Sequence, residues 1–174
     1  MRKKHHAILL TCISLLCLTI FSFFYFHRLF FPVTGIFATH EIGINDIWDL
    51  NYPFKEFLHR ELTAGRMPLW NPLIGNGFPV LAEGETGTFN LYNLIAYRFL
   101  PTIIAFNLGY ILTFLFSAAG MFFYVRSEKL SRPTAVYAGI IYAFGGYFIT
   151  HISNFVHLQG ASFLPWLLWL AKII

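Results

Sequence analysis

Few side chains in this sequence can do chemistry. Acidic residues number eight in 174, and two of them, Asp46 and Asp49, stand close together in GINDIWDLNYPF. A carboxylate beside a hydroxyl can act as a general base, and at a hydrated membrane surface it can equally be a solvated loop acid. Spacing alone leaves both readings open. Glu83 and Glu85 in LAEGETG form a second acidic pair, oxygen donors that suit Mg or Mn, whereas no His/Cys/Asp spacing identifies a structural metal site. Arg98, His151 and His157 are the groups able to hold an anion. Their plainer roles are snorkelling for the arginine and interfacial hydrogen bonding for the imidazoles. Cys12 and Cys17 fall on different faces of any helix, so they cannot bridge each other. No nucleotide-binding glycine loop, nucleophile elbow or zinc-protease motif occurs.

The elements that must position these groups follow from composition. With 57% apolar, 20% aromatic and 11% charged residues, the chain departs from a soluble domain, in which about a quarter of residues carry charge. Twenty-one Phe and nine Tyr exceed what one small core can enclose, while lipid accommodates them readily. Disorder and a disulfide scaffold are excluded on the same grounds. The expected architecture is an all-α, polytopic transmembrane helix bundle. Residues 7–26 form an uncharged run fit to be the first span, with no small-x-small cleavage site after it. Residues 102–124 are the second, 134–150 the third, and 160–174 begin a fourth that stops early, as in an amino-terminal fragment of a longer protein. Gly139, Gly145 and Gly146 in the third read as close-packing positions rather than breaks.

Residues 27–97 hold most of the acids and frequent Pro and Gly, without an apolar run long enough to span. Within them, residues 53–64 predict an amphipathic interfacial helix, Phe54, Phe57, Leu58 and Leu62 on one face and Lys55, Glu56, His59, Arg60 and Glu61 elsewhere. Arg2, Lys3 and Lys4 precede the first span, and Arg126, Lys129 and Arg132 fill the gap after the second. Excess basic charge marks cytoplasmic segments, so both clusters, and the amino terminus, are expected inside a bacterial cytoplasmic membrane, with the long loop outside. These clusters are too short, and too close to apolar spans, to be a nucleic-acid surface.

Asp46 and Pro53, then the stretch from Arg60 through RMPLWNP to Pro72, then GNGFPVLAEGETGTF, resemble the YfhO-like family of bacterial membrane proteins. AFNLGY, AAGMFFYVR, AGIIYAFGGYFITHISNFVHLQG and LPWLLWLA follow in the same order. Glu85 stands where relatives often have Gln, and no Pro follows Phe89. The resemblance implies a GT-C-like fold, that of integral-membrane glycosyltransferases, whose first extracytoplasmic loop carries an acidic residue, here matched by Asp46. It also implies a polyprenyl-phosphate-linked sugar as donor and a cell-envelope polymer, such as teichoic acid, as acceptor, with membrane lipid and the remaining helices of the fold as partners. On that footing Asp46 is the expected catalytic base and Asp49 its substitute. Glu83 and Glu85 are expected to orient the acceptor, bind a sugar hydroxyl or share a divalent cation with Asp46, and Arg98, His151 and His157 to contact phosphate. Two alternatives stand beside this: a non-catalytic scaffold or lipid-carrier-handling subunit, and a transporter, which the absence of acidic and basic side chains from the three complete spans disfavours.

Overall fold

The structure is a computed structural model that describes residues 2–31, 34–36, 46–84 and 86–174. The described residues are helical and form no named strand, in line with the all-α expectation. Helix α1 (Arg2–Tyr25) and helix α4 (Thr102–Ser127) are both long and apolar enough to cross a membrane. At 1.5 Å per residue each exceeds the ~30 Å of a bilayer's hydrocarbon core. Their surroundings differ. Most of α4 is covered by other helices, while α1 exposes Ile8, Leu9, Ile13, Leu16, Ile20, Phe23 and Phe24.

Around α4 pack α1, α5 (Arg132–Ala143) and α7 (Phe155–Ile173). Gly139 of α5 allows a close backbone approach: a Cβ there would lie 2.7 Å from the Ala118 carbonyl oxygen of α4. Trp166 of α7 donates its indole N–H to the Phe116 carbonyl at 2.9 Å. Pro165 lies inside α7 and lacks the N–H that would satisfy the Ala161 carbonyl. The Tyr142 hydroxyl donates to that oxygen instead, at 2.9 Å.

Three boundaries differ from the sequence expectation. The stretch 134–150 is two helices, α5 and the short α6 (Gly146–Thr150), because Gly145 is extended and Phe144 is pinned by ring contacts to Phe21, Tyr25 and Phe114. Gly139 is therefore a packing glycine, whereas Gly145 sits at a break. The fourth segment starts at Phe155 rather than residue 160, so His157 is helical. Finally, a helix not expected from the sequence, α3 (Leu91–Phe99), begins within residues 27–97 and runs past their end, and Asn90 caps it by accepting the Tyr92 N–H at 2.9 Å.

Helix α2 (Tyr52–Thr63) coincides closely with the expected amphipathic helix, but its apolar face does not lie against lipid. Leu58 and Leu62 pack on Ala96, Tyr97 and Ala105, and Phe54 and Phe57 on Val80 and Phe78. The protein itself covers this face. The turn-rich loop beyond it is held by paired backbone bonds between Asn71 and Phe78, both 2.8 Å. Gly77, at φ +107°, lies under the Trp70 ring, where no side chain fits.

The helices alternate in direction. Arg132 reaches the Ala7 carbonyl at 3.5 Å, and Lys172 pairs with Glu128, so the start of α1, the end of α4, the start of α5 and the end of α7 share one end of the bundle. At the other end Phe26, Leu29, Ile47, Phe148 and Ile152 converge in one core.

Candidate functional site

The end opposite Arg132 carries a polar cleft of about 380 Å³ lined by Asp46, Asn51, Gly84, Asn154, Phe155 and His157. Three stretches of chain build it. Asp46 heads a π-helical turn, Ile47–Asn51, that runs into α2, and Ile47 anchors this turn as a wholly buried member of the bundle core. The Asn51 side-chain amide donates to the Asp46 carbonyl at 3.0 Å, which fixes the backbone from which the half-buried Asp46 carboxylate projects. The facing wall is the first turn of α7. Asn154 precedes it without making a side-chain capping bond, so the cleft meets the positive end of a 19-residue helix. Gly84 closes the third side.

Of the residues singled out in the sequence, Asp46 and His157 are brought together around this cleft. Asp49, on the same turn, is exposed and does not line it. His151 stacks on Tyr147 with ring centroids 4.3 Å apart, its Nδ1 lying 2.9 Å from the Tyr147 carbonyl and 3.1 Å from the Thr150 hydroxyl. Its ring is 6.2 Å from that of His157, so it borders the site while its bonds hold the end of α6. Arg98 donates to the Leu62 carbonyl at 2.9 Å and caps the last turn of α2, away from the cleft. Glu85 lies outside the described residues.

Glu83 belongs to a neighbouring arrangement. Its carboxylate accepts the Thr86 hydroxyl at 2.7 Å and the Thr86 N–H at 3.2 Å. The Thr86 carbonyl in turn accepts from the Lys55 ammonium, whose Nζ also lies 5.7 Å from the centre of the Tyr97 ring. Lys55 is fully buried, contrary to its expected place on the polar face of α2. Burial pulls its pKa down to about 7, and the nearby Glu83 charge opposes this only in part. The signal was present in the sequence: Asn51, Phe54, Lys55, Leu58 and Leu62 follow the three-and-four spacing of one helix face. Lys55 thus latches the loop that carries Gly84 and Thr86, and the two sites share that loop.

Both Glu83 carboxylate oxygens accept from Thr86. Among the described residues no group of three or more His, Cys, Asp or Glu is arranged to hold a metal ion. Chemically, the cleft offers a carboxylate opposite an imidazole and a helix amino terminus, a base facing an anion site. Comparison with family models, curated proteins and solved structures finds no match for this chain.

Proposed function

We propose that this chain is part of a multi-pass, GT-C-like bacterial membrane glycosyltransferase of the YfhO-like type, with the polar cleft on its extracytoplasmic side. What supports a membrane setting is the band of apolar side chains exposed on α1 and on α7, where Phe163, Leu164, Leu167 and Leu168 face outward. Apolar patches of that extent are rare on soluble monomers, and lipid removes their cost. The basic end of the bundle then faces the cytoplasm.

The observation that carries the activity is the meeting of Asp46 with His157 and the α7 amino terminus in one cleft. The donor is a sugar on a polyprenyl phosphate, and the acceptor is a hydroxyl of an envelope polymer. The Asp46 carboxylate takes the hydroxyl proton as the acceptor oxygen bonds to the anomeric carbon. The bond from that carbon to the phosphate oxygen breaks, and its electron pair leaves with the phosphate. A phosphate leaves as a stable anion without needing the acid that protonates an alkoxide leaving group in glycoside hydrolysis. His157 and the first turn of α7 stabilise the charge that develops there.

The test uses membranes from cells expressing the full-length protein, supplied with a polyprenyl-phosphate sugar labelled in the sugar. Asp46→Asn is expected to lower label transfer to polymer by ~10² to 10⁴, the range for a lost general base, with an unchanged amount of protein in the membrane. Asp49→Asn is expected to do much less. Near-normal transfer by Asp46→Asn overturns the assignment and favours a scaffold or carrier-handling role.

A further inference from the structure

At the opposite end of the bundle, a groove of about 680 Å³ runs between α1 and α5. Leu10 and Ile13 line it on one side and Val136 and Ile140 on the other, and Arg126 and Arg132 stand at its mouth. Two features distinguish this from an ordinary seam between helices. The first is charge: two guanidinium groups border one apolar groove, and Lys129 lies on the exposed turn that joins α4 to α5. Glu128, the acid of that turn, does not cancel them because it is paired with Lys172. The second is that Arg132 has hydrogen-bonding capacity to spare. Its Nη2 makes only the long 3.5 Å contact to the Ala7 carbonyl, and its Nε is buried with no hydrogen-bond partner among the described residues. A buried donor without a partner costs free energy, which marks the Arg132 guanidinium as incompletely satisfied where it stands.

We infer that this groove is a binding site for an anionic phospholipid, with the phosphate at Arg126 and Arg132 and an acyl chain between α1 and α5. The inference rests on the membrane setting proposed above but not on the glycosyltransferase reading. Occupant and site match in both parts. A planar guanidinium can donate two parallel N–H bonds to a phosphate. The four aliphatic side chains meet a hydrocarbon chain, and basic pockets between helices on the cytoplasmic side suit acidic headgroups. A free phosphate would satisfy the arginines and leave the groove unfilled. A zwitterionic lipid would bring its own cation toward two others.

Native mass spectrometry of the detergent-solubilised protein, mixed with equal amounts of phosphatidylglycerol and phosphatidylcholine, reads the preference directly. Phosphatidylglycerol is expected to be enriched about 30-fold, the effect of two basic side chains near one headgroup. The double variant Arg126→Gln/Arg132→Gln should bring the ratio close to one. Arg28→Gln, an exposed cation beyond the far end of α1, should leave it unchanged. Glycerophosphoglycerol, which has the headgroup and no chains, should not displace bound lipid. Equal retention of both lipids by the wild type, or full enrichment in the double variant, overturns the site, and displacement by glycerophosphoglycerol reduces it to a phosphate contact. Failure of the membrane setting is a separate outcome, seen as release of the protein from membranes without detergent.

Discussion

At the cleft end, Asp46, Asn51, Gly84, Asn154 and His157 arrive from three separate stretches of chain, whereas at the opposite end Arg126, Ser131 and Arg132 follow closely in sequence, from the last turn of α4 to the first residue of α5. The first arrangement exists only if the fold is correct, since it needs the π-helical turn, the loop latched by Lys55 and the start of α7 to meet. The second is nearly local. Ser131 caps α5 by accepting the Thr134 N–H, and this sets Arg132 at the first turn whatever happens elsewhere. Substitutions at the cleft end should therefore affect chemistry steeply and depend on distant packing, while those at the basic end should affect lipid preference and little else.

After the loss expected for Asp46→Asn, the largest effect in support of this contrast is at His157. Removing a hydrogen bond to a charged group costs ~1.5 to 3 kcal/mol, so His157→Ala should lower transfer by roughly 10- to 100-fold. His151→Ala, which removes bonds internal to α6, should lower it far less. Transfer assays on the two variants side by side would break the contrast if the losses were equal.

Next in size is the packing that both ends share. Gly139→Leu drives a side chain against the Ala118 carbonyl and should destabilise the bundle by about 1 to 3 kcal/mol, the usual cost of overpacking. Thermal unfolding in detergent would measure it. A wild-type melting temperature would show that α4 and α5 are not in close contact.

Lys55 gives the cleft end a dependence on pH that permanently charged arginines cannot. Its folded pKa, about 7, lies below its ordinary value of 10.5, so between these limits the unfolded chain binds more protons. Stability should rise as pH increases from about 7 to 10, and the penalty should be complete below that window. Lys55→Met keeps the buried stem and removes the titrating group, so it should flatten this rise. A melting temperature that falls over the same range in the wild type would contradict the burial of Lys55.

A smaller effect sharpens the account of the shared packing. Tyr142→Phe should cost about 1 kcal/mol by orphaning the Ala161 carbonyl. In a Pro165→Ala background, where a backbone N–H can take that carbonyl, the cost should largely vanish, which a double-mutant cycle reads as coupling.

These contrasts also explain what the sequence made legible. The basic end could be read directly, because charge clusters and caps are short-range patterns. Helices α1 and α4 were equally plain from uninterrupted hydropathy, yet hydropathy did not tell the exposed one from the covered one. Gly139 and Gly145 of the third segment look alike in sequence. Only the rings around Phe144 make Gly145 a break, while the Ala118 carbonyl makes Gly139 a contact. Helix α3 escaped notice because nine residues fall below any spanning window. Asp46 and His157 were each singled out, but their meeting depends on tertiary packing. Lys55 was misplaced because its charge outweighed its position on the apolar stripe.

The central claim, that the two ends face opposite sides of a membrane, is tested most directly by thiol accessibility in intact cells. With Cys12 and Cys17 replaced by Ala, a single cysteine is introduced either at Asn76, on the exposed loop of the cleft end, or at Ser131, at the mouth of the basic groove. An impermeant maleimide should label Asn76→Cys and should label Ser131→Cys only after the membrane is opened. Labelling of Ser131→Cys in intact cells with protection of Asn76→Cys, or equal labelling of both, would contradict the account.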